Sequence, residues 1–176
     1  AQLGAKVTLI EEKELGGVCM NRGCIPTKAL LRTSETAAFI KKSKEFGIGS
    51  HMENINWNVA VDRKNRVVKN LNIGLEQLLR TKGITIIKGR GTIESDRKII
   101  VQTAEETIEV SCEKMILTTG AEPLLPAIKG IDSEGVITSN GALDLDALPE
   151  NMAIIGAGVI GLEFASMFNS LGVKVT

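Results

Sequence analysis

The apolar positions along the chain change period several times, and each change marks a predicted element. A buried-type run near Val7–Glu11 predicts a strand, and a glycine-rich turn that carries two cysteines follows it. Beyond that turn, helical spacing predicts a helix over Pro26–Glu45, with the proline in the first turn, where a missing amide costs little. A second helix is predicted over Val59–Lys82, and the apolar run Ile84–Ile87 after it predicts a strand.

Short runs that alternate apolar and polar residues come next. They predict a small antiparallel meander of three strands, over Thr92–Ser95, Lys98–Thr103 and Thr107–Val110. Two further apolar runs, Lys114–Thr118 and Met152–Ile155, are predicted as strands that each run into a glycine turn. Strands that alternate with helices indicate a parallel sheet, so the predicted fold class is α/β.

The composition narrows the class of protein. Hydrophobic residues make up 43% of the 176 positions, which is enough for a real core. The 21 basic and 21 acidic residues are interspersed, which argues against a nucleic-acid partner or a membrane surface. No apolar run approaches the roughly 20 residues needed to cross a bilayer, and the N-terminus lacks the pattern of a signal peptide. We therefore expect a soluble protein of a reducing compartment, the cytoplasm.

A short internal repeat indicates two related units. Leu3–Thr8 reads LGAKVT, and Leu171–Thr176 reads LGVKVT. A strand, a glycine turn and a helix precede the second copy, whereas the matching glycine of the first copy would fall before residue 1. We expect the chain to begin inside one nucleotide-binding unit and to end inside another.

The glycine turn of the second unit matches a dinucleotide-binding fingerprint. Gly156, Gly158 and Gly161 follow an apolar strand and open a helix. The first glycine permits a tight turn, the second lets the backbone approach a pyrophosphate, and the third lets helix and strand pack closely. Close packing without a ligand is the alternative. The acidic residue that would contact a ribose falls at or beyond the last residue, so the sequence does not distinguish NAD from NADP.

The setting of Cys19 and Cys24 is unlike that of a structural zinc site. Such sites have a second ligand pair, and only the isolated Cys112 and His51 could supply one, so no metal is predicted. Two ordinary buried thiols are the alternative, but a helix N-terminus lowers the pKa of a thiol and favours a reactive pair. Residues five apart on a regular helix are about 7.5 Å apart along its axis, too far for a disulfide. We expect the backbone to leave helical geometry at Gly23, and a bridge here to be labile.

The segment GGVCMNRGCIPTK resembles the redox-disulfide signature of the class I pyridine nucleotide-disulfide oxidoreductases. The letters IPTK after the second cysteine favour the dihydrolipoamide dehydrogenase branch of that family. The similarity extends over essentially the whole chain, through RKNRVVKNL, TTG and GAGVIGLEFA, although TTG stands where the family more often has ATG. Glutathione and mercuric reductases share the spacing of the cysteines but less of the flanking sequence. They are the alternative members of the family that this chain could belong to.

The resemblance implies a Rossmann-like FAD-binding domain over residues 1–148, with a parallel sheet and the small meander. Residues 149–176 would be the first strand, turn and helix of an NAD-binding domain. Since the family's first strand and glycine turn would lie before residue 1, a place in the sheet would be open. Residues 152–172 have the same order of strand, glycine turn and helix as the unit that would be missing. We expect them to dock between Val7–Glu11 and Lys114–Thr118, within the chain or by exchange between chains. The alternative is that they begin only their own domain.

The resemblance also assigns roles to residues. Cys19 would exchange with the substrate, and Cys24 would face the flavin. Lys28 would lie beside the flavin ring in a buried ion pair with Glu163, which favours negative charge on the reduced ring; a solvated lysine is the alternative. The other cofactor contacts would be Glu11 for the adenosine ribose, Gly16 and Gly17 for the pyrophosphate and ribityl path, Gly91 for the adenine, Thr119, Gly120 and Ala121 for the flavin side, and Gly156, Gly158 and Gly161 for the second nucleotide. A solvated strand-end carboxylate is the alternative for Glu11.

The implied activity is electron transfer from dihydrolipoamide through the Cys19–Cys24 disulfide and FAD to NAD. The implied partners are a second copy, in a homodimer, and a lipoyl-bearing subunit of a 2-oxoacid dehydrogenase or glycine cleavage complex. The family's catalytic base is a His-Glu pair in a C-terminal domain, for which His51 is no substitute, so we expect the 176-residue chain alone to be inactive. A nucleotide-binding module without chemistry and a thioredoxin-like oxidoreductase are the rival classes.

Overall fold

The computed structural model describes residues 1–176 and divides them into two units. Unit 1 comprises residues 1–17 and 70–121, and unit 2 comprises residues 18–69 and 122–176. The elements in chain order are β1 (Thr8–Glu11), α1 (Gly17–Arg22), α2 (Cys24–Lys42), a 3₁₀ helix (Ser43–Phe46), α3 (Trp57–Thr81), β2 (Thr85–Lys88), β3 (Arg90–Ser95), β4 (Lys98–Gln102), β5 (Thr107–Ser111), α4 (Ser139–Leu143), β6 (Asn151–Met152), α5 (Val159–Ser170) and β7 (Lys174–Val175). The α/β fold class is confirmed.

Unit 1 holds a two-stranded parallel sheet and a three-stranded antiparallel meander. In the parallel sheet, β1 pairs with β2, from Thr8 opposite Thr85 to Glu11 opposite Lys88. In the meander, β4 is paired on both sides and buries Val101 completely. The predicted strands of this unit up to β5 are therefore confirmed, within one or two residues at their ends.

The strand predicted over Lys114–Thr118 is wrong. Residues 115–128 form no helix or strand, and Ile116 and Leu117 are 85% and 64% exposed. An apolar run becomes a strand only where a neighbouring strand completes its ladder of hydrogen bonds. In the structure β1 pairs with β2 alone, and no strand pairs with this segment.

Unit 2 is built on helices whose apolar faces meet in one core. α2 packs against α5, and Leu30, Met167 and Phe168 are completely buried in their shared cluster. Trp57 belongs to the same cluster, with its ring centroid 6.0 Å from that of Phe168. Its indole nitrogen donates a hydrogen bond to the carbonyl oxygen of Leu145 at 2.7 Å. Both predicted long helices are confirmed, and each begins two residues earlier than predicted.

Residues 150–176 form a strand, turn, helix and strand of their own. The predicted strand Met152–Ile155 is shorter, as β6, and it pairs in parallel with β7. The predicted docking of this segment beside β1 is wrong, because β7 is its hydrogen-bonded neighbour. A short connection links α5 to β7, so this local pairing closes a smaller loop than pairing with a distant strand. The predicted domain boundary between residues 148 and 149 stays a prediction.

Candidate active site

The two cysteines lie on either side of a break between α1 and α2. Cys19 lies within α1 and Cys24 is the first residue of α2, so a short helix replaces the predicted turn. Gly23 has φ −134° and ψ −116°, which are not helical values. A β-carbon on Gly23 would lie 3.0 Å from the carbonyl oxygen of Val18 and 3.1 Å from the α-carbon of Cys19. The predicted departure at Gly23 is confirmed, and the close backbone approach favours glycine there.

Both cysteine side chains are exposed free thiols that interact with each other. The hydrogen bond with Cys19 is the largest cause that raises the pKa of the Cys24 thiol above its ordinary value, and desolvation and charge repulsion from Cys19 add to it. A backbone hydrogen bond and the charge of Lys28 act in the opposite direction but are outweighed. The predicted lowering of the pKa at the helix N-terminus is therefore outweighed at Cys24, where the net direction is upward. The Cys19–Cys24 disulfide stays a prediction, since the structure describes the pair as thiols.

An ion pair joins Lys28 of α2 to Glu163 of α5. The two side chains are 58% and 28% exposed, so the pair lies at the surface of unit 2. The pairing that the resemblance implies is present, and its expected burial beside a flavin stays a prediction. Lys28 also acts to lower the pKa of Cys24, so its positive charge reaches the thiol pair. Its role beside a flavin stays a prediction.

The three fingerprint glycines have three different environments. Gly156 has φ +111°, a conformation that favours glycine. A β-carbon on Gly161 would lie well under 3.0 Å from the carbonyl oxygen of Gly156, so only a hydrogen atom fits. Gly158 precedes α5 with open space around the position of a β-carbon. The fold thus accounts for glycine at positions 156 and 161, through the backbone conformation and the close packing. At position 158 the fold does not require glycine, and the open space leaves room for a ligand.

Four of the other predicted contacts lie along or near β1 in unit 1. Glu11 ends β1, and its carboxylate accepts a hydrogen bond from the amide of Lys13 at 2.8 Å. Gly16 and Gly17 have φ +97° and +63°, so the turn after β1 uses two left-handed residues. On β3, a β-carbon at Gly91 would come within 3.4 Å of the Ile10 side chain. Their roles toward FAD stay predictions.

The remaining predicted contacts lie outside regular structure. Thr119, Gly120 and Ala121 belong to the segment without helix or strand, and Gly120 has φ +81°. Their flavin contact stays a prediction. No cluster of His, Cys, Asp and Glu residues could hold a metal ion, and no helix is both long and apolar enough to cross a membrane.

Two buried polar contacts of unit 2 have no signal in the sequence. The Lys64 side chain is 4% exposed, and Nζ donates to the carbonyl oxygen of Leu143 at 2.9 Å and to the carboxylate of Asp144 at 2.5 Å. The buried hydroxyl of Thr27 donates to the carbonyl oxygen of Gly23 at 2.7 Å. The contacts of Lys64 join residues far apart in sequence, so no local pattern indicates them. The Thr27 hydrogen bond matters because its acceptor lies at the break at Gly23.

Comparison with known proteins gives a family and relatives. The family description "Pyridine nucleotide-disulphide oxidoreductase" matches residues 1–176. The dihydrolipoyl dehydrogenase of Chlamydia muridarum is 42% identical, with 100% of this chain and 38% of the relative covered. That of Acholeplasma laidlawii is 38% identical, with 100% of this chain and 53% of the relative covered. The chain therefore spans little more than a third to about half of the length of these relatives.

A solved structure of similar fold is the Cu(II) complex of the C43S mutant of the HOCl-induced flavoprotein disulfide reductase RclA from Escherichia coli. The TM-score is 0.82 and the sequences are 34% identical, with 99% of this chain and 36% of that chain covered. The predicted Rossmann-like architecture, with a parallel sheet and a meander, is confirmed by this likeness.

Proposed function

Because the chain belongs to the pyridine nucleotide-disulphide oxidoreductase family, we propose that it is the disulfide-bearing part of an FAD- and NAD-dependent dihydrolipoyl dehydrogenase. The observation that carries the proposal is the ion pair between Lys28 and Glu163. It links the helix that begins at Cys24 to the helix that follows the glycine fingerprint, and both helices belong to one unit. Thiol exchange and nucleotide binding are therefore assigned to two helices in direct contact.

The glycine turns fit the proposed cofactors. Open space beside Gly158 lets an anion approach the amide groups at the N-terminus of α5, as a dinucleotide pyrophosphate requires. In unit 1, the left-handed Gly16 and Gly17 follow the strand that ends at Glu11, whose carboxylate suits a ribose hydroxyl. When bound, FAD would supply electron transfer between the thiol pair and NAD.

The proposed thiol chemistry starts from the Cys19–Cys24 disulfide. A thiolate of dihydrolipoamide attacks Sγ of Cys19, the bond to Cys24 breaks, and the Cys24 sulfur leaves as a thiolate. The second substrate sulfur then attacks the first, which releases the Cys19 sulfur and closes the substrate disulfide. The two electrons lost by the substrate now reside on the cysteine pair, and the two thiol protons are taken up by the pair and by water. Cys19 raises the pKa of the Cys24 thiol, which fits a proton retained on the reduced pair.

The partner and compartment are proposed on the same basis. A lipoyl-bearing subunit of a 2-oxoacid dehydrogenase or glycine cleavage complex would deliver the dithiol, because both relatives compared above are dihydrolipoyl dehydrogenases. We propose a homodimer in the cytoplasm, and no contact with nucleic acid or membrane, since acidic and basic residues balance at 21 each.

Exchange with the substrate tests the proposal directly. The oxidised chain is incubated with dihydrolipoamide, alkylated and weighed by mass spectrometry; two added alkyl groups are expected, at Cys19 and Cys24. In Cys24→Ser, oxidised lipoamide replaces the dithiol and is added together with the alkylating agent: the Cys19 thiolate should open the lipoamide disulfide, and alkylation of the released lipoamide sulfur should keep the mixed disulfide on Cys19. The control Cys112→Ser should keep the two-thiol difference. A chain that shows no such difference, or that traps substrate at Cys24 in Cys19→Ser but not at Cys19, contradicts the proposal.

A disulfide reductase with another substrate is the second candidate, favoured by the 34% identity with the E. coli reductase over 99% of this chain. The full-length protein distinguishes the two. Formation of NADH from dihydrolipoamide and NAD supports the first candidate. Absence of that reaction, together with oxidation of a reduced nicotinamide by another disulfide, supports the second.

A further inference from the structure

Thr27 is tied to the residue that separates the two cysteines. Its hydroxyl donates to the Gly23 carbonyl oxygen at 2.7 Å, and its amide donates to the same oxygen at 3.2 Å. Thr27 is 5% exposed and shares the buried stripe of α2 with Leu30, Ser34 and Ala37. A hydroxyl in this place has little access to water, so the loss of its partner is unfavourable.

The Gly23 carbonyl belongs to the peptide that connects the two halves of the site. Cys24 follows it directly, and the close approach of Gly23 to Val18 and Cys19 fixes the end of α1 against the start of α2. A rotation of the peptide between residues 23 and 24 would therefore change the separation of the two sulfur atoms. The Thr27 hydroxyl opposes that rotation, because it adds a second hydrogen bond to the same oxygen.

We propose that Thr27 is a positioning residue for the Cys19–Cys24 pair, which it holds at the spacing that disulfide formation requires. The inference rests on the proposed function, because it assigns Thr27 to thiol–disulfide exchange at the same site. Without the hydroxyl, the dithiol form is less ordered, and closing the bridge costs more conformational entropy. The disulfide then becomes easier to reduce.

The measurement is the equilibrium of the 176-residue chain with oxidised and reduced dithiothreitol, read by alkylation and mass spectrometry. Thr27→Val removes the hydroxyl and keeps the branched shape, and it should lower the ratio of disulfide to dithiol about three- to tenfold, or about 15–30 mV. Thr27→Ser keeps the hydroxyl and should stay within about twofold of the wild type. Thr27→Ala is measured alongside, so that the result does not depend on the packing of valine.

Thr36 provides the matched control. Its hydroxyl donates to the Arg32 carbonyl oxygen at 2.7 Å, the same kind of bond on the same helix. Thr36→Val should leave the equilibrium unchanged. The inference is overturned if Thr27→Val and Thr27→Ala both match the wild type, or if Thr36→Val shifts the ratio equally.

The experiment at Thr27 also distinguishes failure of the positioning role from failure of the proposed function. A wild-type chain that forms the bridge but does not exchange with dihydrolipoamide refutes the dehydrogenase proposal, while the comparison at Thr27 still decides the positioning role. If the wild type forms no bridge at all in dithiothreitol buffers, the positioning role is refuted as well.

Discussion

Adding one methyl group to Gly161 should destabilise unit 2, whereas adding it to Gly158 should have little effect. At Gly161 the added carbon meets the backbone oxygen of Gly156 at well under 3.0 Å, and a backbone atom cannot turn away as a side chain can. Overpacking costs typically about 1–3 kcal/mol, and a backbone contact sets Gly161→Ala near the upper end, at about 2–3 kcal/mol. At Gly158, φ is −73° and an added β-carbon has no neighbour within 4 Å. Gly158→Ala should therefore cost at most about 1 kcal/mol, as a poorer N-cap.

The chain contains a suitable probe for this comparison. Trp57 is its one tryptophan, is 5% exposed, and lies 6.0 Å from the ring of Phe168 on α5. Urea unfolding followed by tryptophan fluorescence should give a free energy of unfolding at least about 1 kcal/mol lower for Gly161→Ala than for Gly158→Ala. Equal losses in the two variants would refute the argument from close packing.

The same pair of variants separates packing from ligand binding. The methyl group of Gly158→Ala would occupy the open space before α5, where a pyrophosphate would approach. We expect the full-length protein with this substitution to bind a nicotinamide dinucleotide more weakly while its stability is retained. Unchanged binding would mean that the turn serves strand–helix packing alone.

Four further substitutions test contacts elsewhere. Lys64→Met leaves the buried carbonyl at the end of α4 without its donor and should lower the free energy of unfolding by about 1–3 kcal/mol; Asp144→Ala, at a side chain 72% exposed, should cost less than about 1 kcal/mol. Cys19→Ala removes the main cause of the raised pKa of Cys24, so the pH midpoint for alkylation of Cys24 should fall; an unchanged midpoint would contradict that cause. Lys98, whose pKa two glutamates raise, should stabilise the fold fully below the ordinary lysine pKa of about 10.4 and lose this effect at higher pH. The difference in stability between wild type and Lys98→Gln should therefore shrink only in strongly alkaline solution, and a loss between pH 7 and 9 would contradict the reasoning.

Several of the elements that sequence reasoning predicted correctly have a pattern that is complete within a short segment, although β1 and β2 were predicted too and pair across a long stretch of sequence. The meander follows from alternation over neighbouring segments, and α2 and α3 follow from long helical periodicity. Lys114–Thr118 has an equally apolar pattern, but a strand also needs a neighbour with free hydrogen-bonding groups, which the pattern does not reveal. The predicted docking of residues 152–172 was wrong for a related reason. β6 pairs with β7, which is nearer in the sequence, and the apolar pattern does not reveal that choice of partner.

The candidate site shows the same division. Spacing and glycine chemistry predicted the break at Gly23, which is a local property of the backbone. The direction of the pKa shift at Cys24 depends on a contact between side chains, and there the local helix argument was outweighed. The burial of Lys64 was not predicted, since its immediate neighbours in the sequence are polar and its hydrogen-bond partners come from a distant segment.

The hydrophobic core and the proposed chemistry of unit 2 are connected through single positions along two helices. Thr27 faces the core of α2 while the next residue, Lys28, reaches the surface. Glu163 likewise precedes the buried Phe164 on α5. Because the two helices pack through their buried stripes, the residues next to those stripes meet at the border of the contact, and the Lys28–Glu163 ion pair forms there. The apolar pattern that stabilises the unit thereby also fixes the charge next to the thiols, so a core substitution such as Phe168→Ala should disturb the ion pair without touching either of its members.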